Sequence, residues 1–77
     1  MPEKELIKQI LTNIKPTVDF GNAKAIIDDG VLDSLEFMRL ISELNEQFGI
    51  EVDVDDIVAE NFNSIESMEA MVKRLQK

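Results

Sequence analysis

A chain of 77 residues, 44% hydrophobic and 31% charged, is long enough for one compact domain and too short for a second hydrophobic core. Its formal charge of −8 repels phosphate-rich surfaces, which excludes nucleic acid and anionic membranes as partners and favours proteins that present lysine and arginine. With neither cysteine nor histidine it has no disulfide, thiolate metal site, thiol nucleophile or imidazole base, so most enzyme classes fall away and the cytoplasm is the expected compartment.

Residues 1–77 are read as a single domain and a monomer. The opening MPEKELIKQI mixes acids with lysines and contains no apolar run long enough for a signal peptide or membrane insertion. Leu6, Ile7, Ile10, Leu11 and Ile14 then recur at helical spacing, and Pro16 disfavours helix just beyond, so the pattern predicts an amphipathic helix over residues 3–14.

Between Lys15 and Asp33 the chain holds Pro16, Gly21 and Gly30, which predicts a long loop, with a short helical turn possible at AKAII, residues 23–27. Val18, Phe20, Ile26, Ile27, Val31 and Leu32 supply apolar anchors, so the loop is expected to be ordered. Phe37, Leu40, Ile41, Leu44 and Phe48 form one stripe of a central helix from Ser34 to Phe48, ended by Gly49. Either Asp33 or Ser34 would serve as its N-cap, because a short oxygen-bearing side chain there accepts the unpaired N–H groups of the first turn.

Ile50 to Val54 alternates briefly, but a lone strand has no pairing partner in this chain, so loop plus a short helix is expected instead. That short helix is placed near residues 56–60, capped by Asp55 or Asp56 and broken by the NFN segment. The final helix begins at Ser64, with a stripe of Ile65, Met68, Met71, Val72 and Leu75 and with Lys73, Arg74 and Lys77 near its negative end.

Asp28, Asp29 and Asp33 are close enough in sequence to suggest a catalytic carboxylate pair, but a solvated turn and a cap explain them better, and no catalysis is assigned to them. The acidic DVDVDD stretch fails as a calcium loop, since from Asp53 the required glycine is Val58 and the closing glutamate is Ser64. From Asp28 to Glu69 thirteen acids face Arg39 alone, whereas the remaining segments hold three acids and seven bases.

The stretch DDGVLDSLEFMRLISELNEQFGIEV, following a long loop and opening an acidic helix, resembles the acyl carrier protein family, in which a serine in an Asp-Ser-Leu motif accepts phosphopantetheine from coenzyme A. The resemblance covers most of the chain. It implies an all-α fold: a small right-handed bundle of three main helices plus one short helix, with a long loop after helix 1. It also implies that Ser34 bears the covalent phosphopantetheine, that the chain is not an enzyme, and that a phosphopantetheinyl transferase modifies it in trans.

Asp33, Glu36, Glu43 and Glu46 would then form part of the docking surface for basic patches on acyl- or aminoacyl-loading and acyl-processing enzymes. Leu35 and Met38 lie off the buried stripe and offer an exposed apolar contact near the arm, or else join the core. Arg39 and Ser42 depart from the fatty-acid carriers of the family, where acidic and apolar residues are expected. The functional reading is an acyl carrier in fatty acid, polyketide or another specialised acyl pathway. An aminoacyl carrier, D-alanyl or peptidyl, and an unmodified acidic helical adaptor are the alternatives.

Overall fold

The computed structural model describes residues 3–76. Met1, Pro2 and Lys77 lie outside the described residues, and with Lys77 the last of the three bases expected near the end of the final helix. The described residues form helices and turns without strands, in the order α1 (Glu3–Ile14), α2 (Ser34–Phe48), α3 (Ala59–Phe62) and α4 (Ile65–Leu75). This is the all-α arrangement of three main helices and one short one, with its long loop after α1.

α1 begins with Glu3 and Glu5, whose charges suit the positive end of a helix, and it buries Ile7, Ile10 and Leu11. Its last backbone bond runs from Lys15 N to Leu11 O at 2.9 Å, one residue before Pro16 restricts the chain. α1 packs against both α2 and α4, and α3 packs against α4. The stripes meet in one core of Ile7, Ile10, Leu11, Phe20, Ile26, Leu40, Leu44, Ile50, Phe62, Ile65, Met68, Met71 and Val72. Each large aliphatic or aromatic side chain buried there contributes roughly 1.5–3 kcal/mol. In α2 the innermost positions are Leu40 and Leu44, while Phe37, Ile41 and Phe48 are half-buried along the same stripe.

Four expectations about the short elements are corrected. The helical turn offered as an option at residues 23–27 lies later: Gly30, at φ 65°, donates its N–H to Ile27 O, and Val31 N bonds to Ile26 O, the paired bonds of a left-handed glycine cap. The loop also contains an unforeseen 3-10 turn, Phe20–Asn22, formed where Phe20 inserts into the core.

The short helix expected near 56–60 is two elements. A 3-10 turn, Val54–Asp56, is capped by Asp53, not by Asp55 or Asp56, because Asp53 has the extended backbone a cap needs and Asp56 reaches back to its N–H. α3 follows, with Val58 as its uncapped start. The NFN segment does not break α3 before Phe62. Phe62 is fully buried and meets the Phe37 ring edge-to-face at 5.0 Å, which keeps Asn61 and Phe62 helical and moves the break to Asn63 and Ser64. Ser64 then caps α4 by accepting from Ser67 N at 3.1 Å.

Candidate functional site

The N-terminus of α2 is built by a reciprocal cap. Asp33 Oδ1 accepts from Glu36 N at 2.8 Å, and Glu36 Oε1 accepts from Asp33 N at 2.9 Å. Of the two candidate caps, Asp33 is therefore the one used, and Ser34 is the first helical residue. The spacing Asp33-x-x-Glu36 is the sequence signal that distinguishes the two. Ser34 is exposed, and its hydroxyl takes no part in holding the helix end.

A second layer holds this cap in place. Lys15 Nζ, just past the end of α1, donates to Val31 O at 2.8 Å and lies 3.4 Å from Glu36 Oε1. One ammonium thus ties α1, the end of the long loop and the first turn of α2 together. Sequence reasoning missed Lys15, because nothing local marks a bond across 16 and 21 residues.

The loop that delivers Ser34 is clasped from the far side by Asn63. Its Oδ1 accepts from Ile27 N at 2.9 Å and from Asp28 N at 3.1 Å, and its Nδ2 donates to Asp28 Oδ2 at 3.1 Å. Ile26 N adds a bond to Asn63 O at 2.9 Å. Asp28 is thus tied to this clasp and Asp33 to the cap, which matches a turn and a cap better than a catalytic pair.

Around Ser34 the surface is apolar at the centre and acidic at the edge. Leu35 is 79% exposed and Met38 65% exposed, so neither belongs to the core. Glu46 is exposed, whereas Glu36 and Glu43 are half-buried on the flank toward α1. Val54, 78% exposed with Ile57 and Val58 beside it in the chain, is a second exposed apolar group that sequence reasoning did not single out. Remote from Ser34, Glu66 is exposed and its carboxyl is held below the usual glutamate range, first by its own backbone N–H at the start of α4 and then by Lys24, 3.7 Å away.

An exposed hydroxyl at the first position of a 15-residue helix suits esterification by phosphate, since the unpaired N–H groups of the first turn and the helix dipole favour an anion there. Asp33 and Glu36 oppose that charge, and Lys15 offsets them. All these groups lie near solvent, so each contribution is screened. The residues present fit a phosphodiester-linked arm: an unobstructed serine hydroxyl free of capping duty, with Leu35 and Met38 exposed beside it.

A small all-α domain with such a serine opening an acidic helix has the form of a carrier domain. A family model described as the phosphopantetheine attachment site matches residues 4–72, and the chain belongs to that family. Comparison with curated proteins returns no match. Domains of this family bear phosphopantetheine covalently on a serine, are served by phosphopantetheinyl transferases and acyl-processing enzymes, and are typically carriers rather than catalysts. Among the described residues no helix is long and apolar enough to cross a membrane.

Proposed function

We propose that this protein is an acyl carrier that bears its phosphopantetheine on Ser34 and presents acyl intermediates to the enzymes of a specialised acyl pathway in the cytoplasm. The observation that carries this reading is the division of labour at the start of α2: Asp33 and Glu36 hold the helix end, leaving the adjacent Ser34 exposed and its hydroxyl uncommitted.

In the modification step the Ser34 oxygen forms a bond to the phosphorus of coenzyme A's phosphopantetheine, the pyrophosphate linkage breaks, and adenosine bisphosphate leaves. The Ser34 proton goes to a base of the transferase, because this chain has no histidine to take it. The bound arm supplies the thiol on which acyl groups travel. This chain's own residues orient and recruit. Asp33, Glu36 and Lys15 fix the direction of the first turn of α2, Leu35 and Met38 offer apolar contact, and Glu43 and Glu46 attract cationic partner surfaces. The reading includes one carrier domain over residues 1–77, acting as a monomer and without catalysis of its own.

The test is intact mass after incubation with coenzyme A and a broad-specificity phosphopantetheinyl transferase. The native chain gains one phosphopantetheinyl group and Ser34→Ala gains none. Loss of a cap would cost about 0.5–2 kcal/mol, but Ser34 is not the cap, so Ser34→Ala should unfold at the native denaturant midpoint to within about 0.5 kcal/mol. No mass gain with several transferases would instead favour an unmodified acidic adaptor.

A further inference from the structure

The exposed positions of α2 carry one cation, Arg39, and one carboxylate, Glu46, with Glu36 and Glu43 half-buried on the flank. Leu35, Arg39, Ser42 and Glu46 stand at successive positions of one helical stripe and all four are exposed. Arg39 is the single cation in the segment from Asp28 to Glu69. Among the described residues the ion pairs join Lys15 to Glu36, Lys24 to Glu66 and Lys73 to Glu69, and none engages Arg39. Glu43, one turn on, is the natural partner, but a cation four residues before a carboxylate is the weaker order for such a pair. Arg39 and Glu43 instead line, with Ile10, Asn13 and Ile14, an open cleft of about 200 Å³ between α1 and α2.

We propose that Arg39 is a specificity-determining residue of the docking face. It selects partner surfaces that place a carboxylate opposite it, and it penalises partners whose contact surface is uniformly cationic. The inference rests on the carrier reading above and adds the repulsive element that recognition by long-range attraction lacks, since Glu36, Glu43 and Glu46 alone would attract any basic patch. The guanidinium is suited to the task because it is always charged and meets a carboxylate with two parallel N–H donors.

The partner chemistry is thus a basic rim that meets Glu43 and Glu46 and one acidic residue that faces the exposed side of Arg39. A transferase with a wholly cationic carrier-binding cleft should gain when Arg39 is reversed. An enzyme matched to this carrier should lose.

The experiment uses the full chain, native and with Arg39→Glu, Arg39→Ala or Arg39→Lys. The first readout is the rate of arm transfer by a phosphopantetheinyl transferase with a cationic cleft. Arg39→Glu should raise kcat/KM about threefold to tenfold through KM, with Arg39→Ala between and Arg39→Lys near native, and high salt should erase the differences. The second readout is loading of the holo protein by a panel of acyl- and aminoacyl-loading enzymes. Whichever enzyme charges the native protein best should lose about tenfold on Arg39→Glu and recover most of it on Arg39→Lys. If that enzyme is indifferent to, or improved by, Arg39→Glu, the proposed role of Arg39 is wrong while the carrier reading stands. If Ser34 accepts no arm from any transferase, the carrier reading itself fails and takes this one with it.

Discussion

Two linkers of this molecule are ordered in opposite ways. The first, residues 15–33, is held by bonds that cross the fold: Lys15 reaches Val31 and Glu36, and Asn63 clasps Ile26, Ile27 and Asp28 from 35 to 37 positions away in the chain. Its Phe20 and Ile26 are fully buried. The second, residues 49–58, is held by neighbours. Val52 N bonds to Asn45 Oδ1, Asp53 and Asp56 cap each other's turn, and Asn61 Nδ2 donates to Asp56 O, all within seven positions. Only Ile50 is buried there, and Val54, Ile57 and Val58 face outward.

The difference teaches that a linker is made rigid either by joining the core or by closing on itself, and that only the first way fixes it to distant elements. The linker that delivers Ser34 uses the first way, which gives the proposed attachment point a position defined by the whole fold. The second linker can present apolar side chains without involving the core.

Substitutions sharpen this contrast. The largest effect is expected from Phe20→Ala, which should lower stability by about 3–5 kcal/mol in a denaturant titration, since Phe20 is fully buried in the core. Asn63→Ala should come next. It leaves the N–H groups of Ile27 and Asp28 without their side-chain acceptor, and a loss of about 1–3 kcal/mol is expected. Hydrogen exchange should speed at Ile27 and Asp28 while protection at Ile50 and Val52 is kept, and equal loss in both linkers would mean that they are one cooperative unit. The smallest effect belongs to Val54→Ser, expected within about 0.5 kcal/mol of native stability. A loss from Val54→Ser as large as that from Asn63→Ala would erase the distinction between the linkers.

The same contrast decides how much was readable from the residues. α1, α2 and α4 follow from apolar stripes bounded by Pro16, Gly49 and Ser64, signals that act within one or two turns. The reciprocal cap was within reach, because Asp33 and Glu36 have the required spacing. The short elements were misplaced for a different reason. Asp53, Asp55 and Asp56 all suit a cap, and the choice among them depends on backbone angles, extended at Asp53, that residue type alone does not display. Lys15 and Asn63 carry no local mark at all. Each acts on a partner more than 15 positions away, so their contributions to the site emerge only when the helices are brought together.

The reciprocal bonds between Asp33 and Glu36 have one more consequence. Because the helix end is secured without the Ser34 side chain, esterifying that oxygen removes none of the bonds that hold the fold. On the proposed carrier reading, this cap therefore gives no signal of whether Ser34 is modified, and an enzyme that must tell the two forms apart has to read something other than these two bonds.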